Sequence, residues 1–130
     1  MAEDRVIQGQ ESILLVDDKP LVVNIYGKIL RNLGYEVTTQ TDPLAALGIF
    51  QTDPKGIDLV ITDMSMPVMD GLMLYDALVK IRPGIRVILC TGHQGRLDEK
   101  KAMDLGLDAV LMKPVPMKTM AQTVRNVLDR

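Results

Sequence analysis

Five short apolar runs punctuate the chain, at Ser12–Val16, Tyr35–Thr39, Ile57–Thr62, Arg86–Cys90 and Ala109–Met112. Each is shorter than a stable helix, and most are rich in Val, Ile and Leu, which predicts strands. Between them apolar residues recur at helical spacing. Pro20–Leu33 places Leu21, Ile25, Ile29 and Leu33 on one stripe, and Gly34 follows as a C-terminal stop. Similar stripes run through Pro43–Phe50 (Leu44, Leu47, Phe50), Gly71–Ile81 (Leu74, Leu78, Ile81), Leu97–Leu105, and Met117–Leu128 (Met120, Val124, Leu128). Five strand–helix pairs result, with no internal repeat and no long linker.

Strict β–α alternation predicts parallel strands joined by right-handed crossovers, with helices on both faces of the sheet. The fold class is α/β. The runs around Ile13, Leu59, Val87 and Val110 are near-continuously apolar, as buried parallel strands should be, whereas Glu36–Gln40 is polar at alternate positions and predicts an edge. A flavodoxin-like three-layer sandwich with strand order 2-1-3-4-5 fits, and its switch point falls between the first and third strands. Ligands of open parallel sheets bind beyond the carboxyl ends of the strands at that point.

The chain has 130 residues, the size of one ordinary domain. Residues 12–130 are read as that domain and residues 1–11 as a tail or linker. A net charge of −2, with acids and bases interspersed, supplies no footprint for nucleic acid or for an anionic membrane. Met1–Glu11 carries Glu3, Asp4 and Arg5, unlike a secretory signal, and the apolar runs fall far short of the ~20 residues a spanning helix needs. A cytoplasmic location is expected. Cys90 is the one cysteine and lies within an apolar run, so it is read as a buried reduced thiol. The methionines at Met64, Met66, Met69 and Met73 are read as loop packing.

The predicted carboxyl ends carry Asp17 and Asp18 after the first strand, Asp63 after the third, Thr91 after the fourth and Lys113 after the fifth. Ordinary roles exist for single members: Asp18 could cap the helix from Pro20, Asp63 could open a turn, and Lys113 could be a surface lysine. Three carboxylates at one sheet edge would repel, because a like-charged pair ~4 Å apart costs about 4 kcal/mol at an effective dielectric near 20. A cation is the remedy. All-oxygen ligands without His or Cys indicate a hard ion, and this set suits magnesium better than a calcium cage. A carboxylate beside such an ion can act as nucleophile toward phosphorus, with Lys113 and the Thr91 hydroxyl directed at the transferred oxygens.

The segments Leu14–Asp18 (LLVDD), Asp63–Gly71 (DMSMPVMDG), Thr91-Gly92 and Lys113-Pro114, in that order at strand ends, resemble the receiver domain of two-component response regulators from about Ser12 to Leu128. The resemblance implies that Asp63 accepts the phosphoryl group. It further implies that Asp18 and Asp63 bind magnesium through side chains, Asp17 mostly through water, and Ser65 through its backbone carbonyl. Thr91, Lys113 and the backbone at Met64 and Gly92 would hold phosphoryl oxygens, and Lys113-Pro114 would be a cis peptide. The implied donor is a histidine kinase or a histidine phosphotransfer protein.

Four positions stand apart from the family pattern. Val110 stands three residues before Lys113, where many receivers carry an aromatic switch residue, so the response is expected from the Gly92–Gly95 loop and the following helix. His93 stands two residues past Thr91, where side chains of the family border the path of the hydrolytic water, and titratable His93 and small Ser65 are expected to set the lifetime of the acyl phosphate. Lys19 replaces a common glutamate. Two other readings compete. A haloacid-dehalogenase-type phosphatase also uses an Asp nucleophile and magnesium, but places a second Asp two residues on, where this chain has Ser65. A degenerate receiver would act only as a binding module. The stretch Gly9–Val16 and the runs around Cys90 and Met112 look similar to receivers at the C-terminal end of hybrid histidine kinases.

Overall fold

The computed structural model describes residues 7–92 and 99–130. Its strands are β1 (Ser12–Val16), β2 (Glu36–Gln40), β3 (Leu59–Asp63), β4 (Arg86–Thr91) and β5 (Ala109–Met112). The helices are α1 (Pro20–Asn32), α2 (Pro43–Thr52), α3 (Gly71–Ile81), α4 (Glu99–Leu105) and α5 (Met117–Leu128). All strand pairs are parallel, in the order β2-β1-β3-β4-β5, so the expected α/β sandwich and its polar edge at β2 are both present.

Alternation along the strands divides the interior into two layers. Ile13, Leu15, Leu59, Ile61, Ile88 and Cys90 face α1 and α5, where they meet Val23, Leu30, Met120 and Val124. Leu14, Val16, Val60, Val87 and Leu89 point the other way, onto Ala46 and Phe50 of α2, Leu74 and Leu78 of α3, and Ala102 of α4. Each such side chain taken fully out of water contributes about 2 kcal/mol.

Helix α1 lies where the spacing predicts but is turned differently. Its buried stripe is Val23, Gly27 and Leu30, whereas Leu21 is 70% and Ile25 50% exposed. The reason is Gly27, where an added Cβ would lie 3.1 Å from Thr39 Cγ2. Close approach to the sheet favours the stripe that contains the glycine, a residue that counts as nothing in an apolar pattern. Leu44 of α2 is likewise outside, and Ala46 and Phe50 are inside. Strand β2 begins one residue later than its apolar run because the Tyr35 N–H still bonds back to Leu30 O. Strand β3 begins at Leu59, after a 3-10 turn at Pro54–Gly56.

At the amino end of the sheet two carboxylates close the ladder. Asp58 accepts from the Ser12 N–H and Asp108 from the Val87 N–H, each at 2.8 Å. The segment before β1 is tied down as well. Gly9 N–H donates to Leu33 O and Glu36 N–H to Glu11 O, while the Arg125 guanidinium of α5 reaches both Glu11 carboxylate oxygens, Gln8 O, Tyr35 Oη and Asp129. No described helix is long and apolar enough to cross a membrane.

Candidate functional site

The backbone ladder continues past the strands and fixes the residues at the carboxyl end of the sheet. Asp17 N–H donates to Gln40 O, Met64 N–H to Cys90 O at 2.8 Å, and Lys113 N–H to Thr91 O at 2.9 Å. Asp17, Asp18, Asp63, Thr91 and Lys113 therefore leave four neighbouring strands at one edge, as their sequence positions predict. Asp17, Asp63 and Thr91 are buried at 2%, 4% and 3% exposure.

The side chains converge. Lys113 Nζ donates to Asp17 Oδ2 at 2.5 Å and lies 2.9 Å from Asp63 Oδ1. Asp17, Asp18 and Asp63 each offer an oxygen, all within 4.8 Å of one another. Burial pushes the Asp63 carboxyl above its usual range, and nearby Asp17 adds to this, although the Lys113 ammonium opposes both. For Lys113 burial alone would lower the pKa, but the two bonded carboxylates together outweigh it and hold the ammonium above its ordinary value.

One lysine cannot balance three carboxylates. Among the described residues Asp18 Oδ1 is buried without a hydrogen-bond donor and has only the exposed Lys19 ammonium, at 3.5 Å. An orphaned carboxylate oxygen costs free energy unless a cation faces it. The donor set is entirely oxygen, so the residues fit a hard divalent ion, as magnesium requires. The acids at the other end of the sheet differ, because Asp58 and Asp108 are both engaged with backbone N–H groups.

The loop from β3 to α3 turns tightly around Asp63. Gly71 N–H donates to Met64 O at 2.8 Å, and a Cβ on Gly71 would sit 2.5 Å from Asp63 O and 2.6 Å from Leu89 Cδ1. Only glycine permits that closure. Asp70 caps α3 by accepting from Met73 N–H. Met64 and Met66 are buried and Met69 packs partly buried against them, as loop packing expects, but Met73 lies on α3 with 51% of its surface exposed; Ser65 is exposed. Val68 stands at φ +71° with Met69 N–H donating to Pro67 O at 2.7 Å, a γ-turn of the positive-φ kind. At Gly92 an added Cβ would meet nothing within 4 Å among the described residues. Val110 is half-buried on β5, and the Lys113-Pro114 bond is cis. His93 and the rest of the loop through Gly95, and Leu97 at the expected start of the fourth helix, lie outside the described residues.

Sequence patterning passed over two residues here. The closure at Gly71 is signalled by Asp-Gly ahead of a helical stripe, a capping pattern. Tyr26 of α1 accepts a hydrogen bond from Val115 N–H at 2.9 Å, just past Lys113, and nothing in the spacing announces that contact.

Comparison with known proteins points the same way. The family model described as the response regulator receiver domain matches residues 13–125. The transcriptional regulatory protein GlrR of Escherichia coli is 34% identical over 118 residues, which are 91% of this chain and 26% of that protein. The sensor histidine kinase RcsC of Salmonella typhimurium is 30% identical over 118 residues, 91% of this chain and 12% of the kinase. A receiver domain protein from Clostridium thermocellum superposes with a TM-score of 0.87 at 32% identity, covering 92% of this chain and 95% of that one. The chain thus spans about a quarter or less of these two curated relatives, and nearly all of the solved receiver domain.

Proposed function

The chain belongs to the response regulator receiver family, and from that premise we propose that it is a phosphoacceptor switch. In this reading Asp63 takes a phosphoryl group from a phosphohistidine on a histidine kinase or histidine phosphotransfer protein. The carrying observation is the Asp63 carboxylate, 2.9 Å from the Lys113 ammonium, beside two further carboxylates of which one oxygen has no donor among the described residues.

An Asp63 oxygen attacks phosphorus as the phosphorus–nitrogen bond breaks, and the electron pair returns to the imidazole ring. Lys113 moves from bonding carboxylate toward bonding the transferred oxygens, with the Thr91 hydroxyl and Gly92 N–H as further donors. Met64 is assigned a smaller share than its position suggests, because its N–H is already donated to Cys90 O. Asp18 and Asp63, with Asp17 and the Ser65 carbonyl, would hold magnesium, which when bound supplies positive charge against the phosphoryl oxygens. His93 and the exposed Ser65 are assigned to the lifetime of the acyl phosphate. With Val110 at the switch position, the response is assigned to the Gly92–Gly95 loop.

The outward stripe of α1 supplies a docking face for the donor. Leu21, Ile25 and Met117 are 70%, 50% and 63% exposed, and Ile25, Ile29, Leu33 and Met117 line a groove of about 380 Å³. Apolar side chains so placed, beginning three residues past Asp18, suit a helical partner. The phosphatase reading lacks its general acid, since Ser65 stands two residues after Asp63. Similarity to the ends of hybrid kinases, together with the RcsC match, favours a place within a longer relay protein.

Intact-mass analysis with acetyl phosphate tests the central assignment. Wild type is expected to gain one phosphoryl group only when magnesium is present, and Asp63→Asn none. Magnesium should also raise the unfolding midpoint of wild type, by ligand linkage, but not that of Asp18→Asn. An adduct that persists on Asp63→Asn, or forms equally without a divalent ion, rejects the assignment.

A further inference from the structure

The connection from β5 to α5 reads Lys113-Pro114-Val115-Pro116-Met117. Proline has no backbone N–H. Between Lys113 and Met117 the main chain therefore carries a single amide hydrogen, that of Val115. It is donated to the phenol oxygen of Tyr26 on α1 at 2.9 Å. Val115 is 6% exposed, so water is poorly placed to substitute as acceptor. The backbone of Lys113 itself is held from the opposite side, by Lys113 N–H donating to Thr91 O at 2.9 Å.

We propose that Tyr26 is a positioning residue for phosphoryl transfer: its hydroxyl anchors the 114–116 connection to α1 and so keeps the Lys113 ammonium within reach of Asp63. This rests on the assignment of Lys113 and Asp63 made above. The site needs that anchor because Lys113 reaches its carboxylates through a long flexible stem, and the segment that follows it has no other backbone donor. Tyr26 also belongs to the helix that carries the exposed apolar stripe, with Ile25 and Met117 on the same groove.

Tyr26→Phe keeps the ring and removes only the oxygen. Its maximal rate of phosphorylation by acetyl phosphate is expected to fall about 10-fold, the scale of a misplaced catalytic group, with the half-saturating donor concentration unchanged. Tyr75→Phe is the control, since Tyr75 Oη donates to Leu105 O at 3.2 Å, away from this connection; its rate should match wild type. Hydrogen exchange at the Val115 amide and the Lys113 ammonium, followed by NMR without any donor, should accelerate in Tyr26→Phe alone. A Tyr26→Phe rate within two-fold of wild type, or equal slowing in both variants, overturns the proposal. Unchanged Lys113 exchange overturns it even where wild type accepts no phosphoryl group, a result that would count separately against Asp63.

Discussion

Two residues at the carboxyl edge are held in ways their chemistry alone would disfavour. Asp63 is buried as a carboxylate between a cation and two like charges, and Lys113 is the only described side chain that both Asp17 and Asp63 contact as an ion pair. Val68, five residues on, is a β-branched residue at φ +71° with 82% of its surface exposed. Positive φ places its Cβ against the following carbonyl, and an exposed side chain recovers little packing in return. Val68→Gly is expected to stabilise the fold by about 1 kcal/mol, after allowing for the greater freedom of glycine in the unfolded chain. Urea unfolding with an unchanged m-value would read this as a higher midpoint. A lower midpoint would mean that the side chain makes contacts outweighing the backbone strain.

Among the elements, strands were the most legible in sequence, because a strand covered on both faces is apolar along its centre, as Ile13–Val16 of β1, Leu59–Ile61 of β3 and Val87–Cys90 of β4 are. Their edges were less so. Asp63 and Thr91 extend β3 and β4 beyond their apolar runs, since pairing continues to Asp63↔Cys90 and Thr91↔Met112, where buried polar side chains of the site break the apolar pattern. Helix orientation was least legible: α1 carries apolar residues on two faces, and Gly27 decides between them through a close approach that leaves no trace in hydropathy. The convergence of the site could be read from strand order, but its pairing could not, because Lys113 and Asp17 are far apart in the chain. The acids at the amino end show what a structural carboxylate does here. Asp108→Ala should cost about 1–2 kcal/mol by stranding the Val87 N–H, while Asp108→Asn, which keeps an oxygen acceptor, should lose much less. Equal losses in thermal or chemical unfolding would show that charge, including the 3.8 Å pair with Arg130, matters more than the hydrogen bond.

For the molecule as a whole, Arg125 joins α5 to the segment that precedes β1. The Glu11 carboxyl is held down to about 2 from 4.5, chiefly by its hydrogen bonds to the Arg125 guanidinium, which in turn is held above its ordinary value. A depressed carboxyl contributes stability that is fully present above its unfolded pKa and disappears as pH falls through the folded one. Glu11→Gln should therefore unfold about 1 kcal/mol more readily at neutral pH, a discount appropriate to a pair in contact with water. The gap from wild type should narrow below about pH 4.5 and close near pH 2. Denaturant midpoints across that range check it, and a gap independent of pH would mean that the link works through shape.

Cys90 lies in the middle of this assembly, paired across the sheet with Asp63, and burial pushes its thiol up to about 12. A maleimide or an oxidant meets no thiolate there while the central strands stay closed. The sulfur is thereby a silent witness to the acceptor strand: labelling it times the opening of the sheet's centre, and leaves the chemistry at its rim unrecorded.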